Sequence, residues 1–368
     1  MRRAAIAIHL FTGYPGFLGS QLLPRVLERD PEARALCLVQ KKFMGLAGER
    51  VAQLRLADPD MARRVEIIAG DISIPSLDLD ERTWAKVKES TEIWHLAAVY
   101  DLSVSRDLGL LVNSEGTHRI LELAKRCAAL DRLHYVSTCY VSGRYVGIFS
   151  EEDLEKDQTF NNYYEETKYL AEIAVREAMG EGLPATVYRP SIVVGDSRSG
   201  ETQKYDGPYY VIRWILRQPG AAVVPIVGDP RATRVNLVPS DFVIDAIAHL
   251  SALPHSVGRT YQLADPEPLT VSDLLDVLGE ATGKRLLRVR VPREVARRAI
   301  DRVPGVRRLM GIPSAAIDYF AHPTHYTVAH ARADLAGSGI EVPAFSSYAP
   351  RLVQFMRKNP KVDFGAMI

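Results

Sequence analysis

Cysteine is scarce: the 368 residues hold three, Cys37, Cys127 and Cys139. They are odd in number, scattered and without metal-ligand spacing. That excludes a disulfide framework and fits a reducing cytoplasm best. An excess of one charge is missing too. Lys and Arg number 46 against 45 Asp and Glu, so the basic stripe of a nucleic-acid binder is absent. No apolar run approaches the ~18 residues of a membrane span. Internal repeats and low-complexity stretches are lacking. The histidines show no metal spacing, and the one close pair, His322-x-x-His325 around Pro323, reads as a loop pair, so no metal is expected. Met1-Arg2-Arg3 and the apolar run 4–11 open like a signal peptide, but no small-residue cleavage site follows and the run enters a glycine-rich turn. What remains is 47% hydrophobic and 25% charged, an ordinary globular composition long enough for a large core.

Short apolar runs alternate with helical periodicities through the first half. Strands are expected at 4–11, 35–39, 65–69, 92–97, 133–137 and 185–188, with helices at 17–28, 110–128 and 163–179. Continuous apolar strands alternating with helices give a parallel sheet covered on both faces, a doubly wound α/β (Rossmann) fold. After Gly195 the texture changes. A polar loop at 196–205 precedes a helix at 209–217, short strands at 235–238 and 260–264 around a helix at 240–250, and a helix over Val271–Thr282 capped by Thr270. The expected division is a nucleotide-binding domain over 1–195 with return segments at about 232–265. A smaller substrate lobe comprises 196–231 and 266–368.

Between the first strand and first helix stands Thr12-Gly13-Tyr14-Pro15-Gly16-Phe17-Leu18-Gly19. Glycines there permit a tight turn and close approach of backbone to a pyrophosphate, with donors from the helix N-terminus. At the end of the second strand, where a carboxylate would hold a ribose 2′-hydroxyl, the chain has Gln40-Lys41-Lys42. Two cations and no carboxylate suit a 2′-phosphate, so NADPH is expected over NAD; solvated loop lysines are the alternative. Asp71, followed by Ile72 just past the third strand, is placed for the adenine or as a turn cap.

Tyr164-Glu165-Glu166-Thr167-Lys168 opens the helix at 163–179, and a spacing of four puts Tyr164 and Lys168 on one face. A nearby ammonium favours phenolate and tunes Tyr as acid or base. Tyr163 faces Thr167 rather than a cation, and Tyr140 with Arg144 lies in a turn. The glycine loop, His95-Leu96-Ala97-Ala98, Ser137-Thr138, Tyr164/Lys168 and Arg189-Pro190-Ser191-Ile192 all fall at or beyond expected strand C-termini. In an open α/β sheet that edge binds ligands.

These motifs in this order resemble the extended short-chain dehydrogenase/reductase family over about residues 6–282. The TGxxGxxG spacing of Thr12–Gly19 is that of the extended branch. The resemblance implies hydride transfer with nicotinamide, Tyr164 as acid/base and Lys168 on the ribose. Counting back five from Gly143 in Val136-Ser137-Thr138-Cys139-Tyr140-Val141-Ser142-Gly143 puts Thr138 at the catalytic Ser/Thr position, with Ser137 on the cofactor side. Asn113 of Asn113-Ser114-Glu115-Gly116-Thr117 takes a supporting role. Val141-Ser142-Gly143 departs from the family's Val-Tyr-Gly at the substrate rim.

Gly16-Phe17-Leu18-Gly19, Val136-Ser137-Thr138 and His95-Leu96-Ala97-Ala98 look most like the fatty acyl-CoA reductase and thioester-reductase branch. The expectation is therefore an NADPH-dependent reductase of a hydrophobic carbonyl or acyl thioester. A nucleotide-sugar epimerase or dehydratase using bound NAD, a hydroxysteroid-type dehydrogenase and a non-enzymatic redox sensor are the alternatives. Tyr205, Tyr209, Tyr210, Ile212, Trp214, Ile215, Tyr319 and Phe320 are candidates for a greasy substrate wall, and Cys139 for a small buried hydrophobe. A homodimer and a peripheral membrane contact through the basic amphipathic segment 293–302 are further expectations.

Overall fold

The structure is a computed structural model that describes residues 6–101, 104–292, 298 and 322–362. The segment 293–302, Tyr319 and Phe320 therefore lie outside the described residues, Arg298 excepted. Thirteen strands are described: β1 (Ile8–Thr12), β2 (Arg34–Val39), β3 (Val65–Ala69), β4 (Glu92–His95), β5 (Arg132–Val136), β6 (Gly147–Phe149), β7 (Ala185–Pro190), β8 (Ile192–Val194), β9 (Ala222–Ile226), β10 (Leu237–Pro239), β11 (Thr260–Leu263), β12 (Leu286–Arg290) and β13 (Thr324–Tyr326).

Seven of these form one parallel sheet in the order β3-β2-β1-β4-β5-β7-β11. The order runs outward in both directions from β1 and β4, so a crevice opens between them at the strand C-termini. Register places Thr12 opposite both Leu38 and His95, and Val136 opposite Tyr188. Adjacent residues of β1 face opposite layers. Phe11 packs with the helices Phe17–Leu27 and Ser240–Ala252, and Leu10 with Gly116–Arg126 and Tyr163–Gly180. Fully buried apolar strands on both faces are what a doubly wound sheet requires.

A third core lies beside the sheet. It joins Tyr205, Tyr209, Ile212 and Ile215 to Leu274, Leu275 and Leu278 and to Tyr348 and Leu352. The remaining strands pair two by two, β8 with β10, β9 with β12 and β6 with β13. Thr270 caps the helix Val271–Thr282 through the Asp273 N–H at 3.1 Å. The helix expected over 110–128 is interrupted instead. Residues Leu110–Glu115 wind as a π-helix between Arg106–Gly109 and Gly116–Arg126. The wider turn shifts the side-chain phase there, a device common near functional sites.

At the opposite edge of the sheet Glu92 lies 3.1 Å from His9 Nδ1 and 3.5 Å from His134 Nε2. Burial alone would raise its carboxyl, but His134 and His9 hold it well below the usual carboxylate range. Burial pushes the His134 imidazole down to about 4. Both groups bind protons more readily in the unfolded chain, so both make stability fall with falling pH. His134 acts as pH drops below its ordinary value of about 6.5, and Glu92 below about 4.3. Glu92→Gln is expected to cost on the order of 1–3 kcal/mol at pH 7 and to flatten the decline below about pH 4.5. Urea melts from pH 7 to 4 check this; parallel curves for the two proteins would count against it.

Candidate active site

The crevice at the strand C-termini opens into a cavity of about 560 Å³. Every residue of the glycine loop except Pro15 lines it. Gly13 has φ +85°, and a Cβ there would stand 2.7 Å from the Ala97 nitrogen. A Cβ on Gly19 would meet the Gly13 carbonyl at the same distance. The helix Phe17–Leu27 begins with no side-chain cap and no acidic residue in its first turn. Its first N–H groups are thus left uncapped beside the cavity, the condition for an anion cradle.

Behind the loop runs a chain of buried hydrogen bonds. Ala97 N–H donates to Thr12 Oγ1 (3.2 Å), which contacts His95 Nδ1 (2.7 Å). His95 Nε2 meets Thr117 Oγ1 (3.0 Å), which donates to the Asn113 carbonyl (2.6 Å). Burial pushes His95 down to about 3, so it stays neutral, and the chain of partners assigns the proton to Nε2. Asn113 Nδ2 donates to the Val99 carbonyl and to Thr167 Oγ1, both at 3.0 Å, while Oδ1 accepts from Val99 N–H at 2.8 Å. Asn113 therefore does not line the cavity. From the π-turn it ties the loop carrying Ala97 and Ala98 to the helix carrying Tyr164.

That helix, Tyr163–Gly180, is capped by Asn162, whose Oδ1 accepts from Glu165 N–H at 3.0 Å. Tyr164, Lys168 and Thr138 all line the cavity. Burial raises the Tyr164 phenol above its ordinary value; a hydrogen bond with Thr138 opposes this, and the charges of Glu165 and Asp206 reinforce it. The phenol is thus protonated at neutral pH. Lys168 Nζ donates to Tyr135 Oη and to the Val136 carbonyl, each at 2.8 Å, and burial pushes it down to about 7.

Arg189 is the clearest correction. It was expected among the ligand-binding residues, yet it is fully buried and turned beneath the helix. Its guanidinium grips Glu172 Oε1 at 2.6 Å through NH2, and both carboxylate oxygens at 3.0–3.1 Å through Nε. Residues along a strand alternate in direction, so with Arg189 turned away from the cavity the adjoining Pro190 faces in; Ser191 lies past the end of β7 and Ile192 opens β8. Pro190, Ser191 and Ile192 do line it. Ser191 Oγ is buried there with no partner among the described residues, which suits a ligand atom. Glu172, one turn beyond Lys168, was missed because a helical carboxylate in a charged stretch ordinarily reads as solvated. It also accepts from Ser137 Oγ at 2.5 Å and Arg176 Nε at 3.1 Å.

At the adenosine end, Gln40, Lys42, Asp71 and Ile72 line the cavity and Lys41 does not. Lys41 is exposed and paired with Asp78 at 3.1 Å. Gln40 Nε2 donates to Asp71 Oδ2 at 2.9 Å, and Asp71 Oδ1 accepts from Ser73 N–H and Oγ at 2.8 and 2.7 Å. At the far end, beyond Tyr164, the wall is built from Val211, Val235, Leu274, Leu275 and Leu278. Of the expected aromatic wall, Tyr210 alone among the described residues faces the cavity; Tyr205, Tyr209, Ile212 and Ile215 turn into the lobe core, and Trp214 Nε1 donates to the Val223 carbonyl at 2.7 Å. Cys139 is buried, its thiol 3.0 Å from the Arg189 carbonyl and pushed up by burial, so it behaves as a small core residue. His322 Nε2 meets Tyr326 Oη at 2.7 Å, and no group among the described residues could hold a metal. Among them no helix is long and apolar enough to cross a membrane.

Residues 11–247 match the family described as male sterility protein. The chain is 30% identical over 291 residues to a linear gramicidin synthase of Brevibacillus parabrevis, covering 76% of this chain and 6% of that protein. It is 26% identical over 274 residues to the fatty acyl-CoA reductase wat of Drosophila melanogaster, covering 64% and 52%. It thus spans about half or less of these curated relatives. The crystal structure of the terminal R domain from the myxalamid biosynthetic pathway superposes with a TM-score of 0.83 at 27% identity, over 98% of this chain and 93% of that one. A UDP-glucuronic acid 4-epimerase from Bacillus cereus in complex with NAD shares the fold at 19% identity, with a TM-score of 0.67 over 97% and 98% of the two chains. The chain belongs to the male sterility protein family, an NAD(P)-binding branch of the extended short-chain dehydrogenases/reductases.

Proposed function

We propose that this chain reduces a hydrophobic carbonyl, an acyl thioester foremost, with NADPH. The observation that carries the proposal is the cavity beyond Tyr164: its wall is largely apolar, no arginine lines it among the described residues, and its Lys204 is paired with Asp206. A nucleotide-sugar diphosphate would need several converging cations there. Arg198 instead pairs with Asp241 and Asp245, and Arg234 with the Pro268 carbonyl.

When bound, NADPH supplies the hydride. The chain's own residues do the rest. The glycine loop and the helix N-terminus take the pyrophosphate, and Lys168 takes the nicotinamide ribose. The protonated Tyr164 phenol, hydrogen-bonded to Thr138, gives its proton to the substrate oxygen as negative charge develops there. For a thioester the carbon–sulfur bond then breaks, and aldehyde and free thiol leave. NADPH oxidation dependent on an added acyl thioester tests the proposal; a tightly held NAD that interconverts a nucleotide sugar without net oxidation overturns it.

Cofactor choice rests on Lys42, the one lysine of the pair that lines the cavity. Lys42→Asp is expected to weaken NADPH by about tenfold or more while sparing NADH, since a charge-assisted hydrogen bond contributes about 1.5–3 kcal/mol. Lys41→Asp, at a side chain already paired with Asp78, should shift the preference much less. Fluorescence titration of both cofactors reads this directly. Equal affinity of the parent protein for the two would remove the 2′-phosphate assignment.

A further inference from the structure

The apolar wall beyond Tyr164 is interrupted by an ion pair. Lys204 and Asp206 flank Tyr205, which turns into the lobe core, and both line the cavity. Lys204 Nζ lies 3.1 Å from Asp206 Oδ2 and 4.4 Å from the centroid of the Tyr100 ring. The two side chains are 10% and 33% exposed. With Lys204 nearly buried and Asp206 a third exposed, the pair adds little to stability, because lost hydration of the ammonium and solvent screening of the carboxylate offset its attraction.

Its chemistry is selective instead. An ammonium has three donors. Asp206 and the Tyr100 face occupy two directions, and among the described residues the third has no partner. Asp206 Oδ1 likewise accepts from no described residue. The pair therefore presents one donor and one acceptor side by side with no net charge. A phosphate or carboxylate would gain from Lys204 and be repelled by Asp206. A plain alkyl chain would bury both groups unsatisfied, which is costly. A secondary amide answers both, its carbonyl accepting and its N–H donating.

We propose that Lys204 and Asp206 form a subsite for an amide group of the substrate. This rests on the carbonyl or thioester reduction proposed above and narrows its substrate class. The amide has two sources, the acyl part, as in a peptide, or the thiol part, as in pantetheine.

Calorimetric titration of the full-length chain separates the cases without turnover. The probes are pantetheine, an N-acetyl amino acid methylamide and an amide-free fatty alcohol, each tested on the parent, Lys204→Met and Asp206→Asn. At least one amide probe is expected to bind the parent and to weaken about tenfold or more in both variants, while the alcohol changes far less. The probe that responds identifies the source. Absence of amide-probe binding to the parent, unchanged affinity in the variants, or an equal loss for the alcohol overturns the subsite. Circular dichroism and NADP binding establish that the variants fold. Failure of thioester-dependent NADPH oxidation is a separate result and bears on the reductase proposal alone.

Discussion

Tyr164→Phe is expected to lower kcat by about 10²–10⁴-fold, the usual worth of a positioned proton donor. The substitution removes one oxygen from a cavity wall, so NADPH affinity should stay within a few-fold of the parent and the fold should be unaffected. Because burial keeps the phenol protonated, the loss should be present across the neutral range rather than at one extreme of pH. Steady-state rates paired with a cofactor titration separate the two effects. Near-normal turnover would remove Tyr164 as the proton donor, and a parallel collapse of cofactor binding would recast it as a binding residue.

The second large effect is one of stability. Glu172 is fully buried with Arg189, also fully buried, and Arg176 beside it. Burial would raise its carboxyl, but Arg189 foremost, with Arg176 and Ser137, holds it below the usual range. Glu172→Ala leaves two guanidiniums facing each other without their carboxylate, a defect expected to cost about 3–5 kcal/mol. Pairing it with Arg189→Met removes one of those stranded charges, so the double variant should be more stable than the sum of the single losses predicts. Urea denaturation of the four proteins in a double-mutant cycle measures this; strict additivity would contradict a coupled network. Activity should also drop, because Ser137 loses its 2.5 Å partner beside Thr138.

Much of the sheet was legible because its strands are continuous apolar runs between helices. The expected strand at 65–69 coincides with β3, and the helix Val271–Thr282 with its Thr270 cap was read in full. The glycine loop announced itself because its spacing stood between a strand and a helix, the one context in which it means a phosphate cradle. Tyr164 and Lys168 do share the cavity, as a spacing of four implies. Other features had no local signature. Arg189 looked like a ligand residue because it adjoins Pro190 and Ser191, and only the strand's alternation turns it away. Asn113 sits on a π-turn that no periodicity announces. The apolar wall draws on Val211, Val235, Leu274, Leu275 and Leu278, positions brought together only by the packing of the lobe. The five-residue pair β9 and β12 is joined across 59 intervening residues of chain, which a single short apolar run cannot indicate.

The most direct measurement is the stoichiometry of a thioester reaction. The purified chain is mixed with NADPH and a medium-chain acyl thioester, and oxidised cofactor, free thiol and carbonyl product are counted together. Reduction to the aldehyde predicts one free thiol for each NADPH consumed, and one for every two if the aldehyde goes on to the alcohol. Tyr164→Phe should suppress all the counts together. Thiol release without NADPH oxidation would mean hydrolysis, and NADPH oxidation with aldehydes or ketones alone would restrict the enzyme to free carbonyls. No oxidation with any of these substrates would contradict the account.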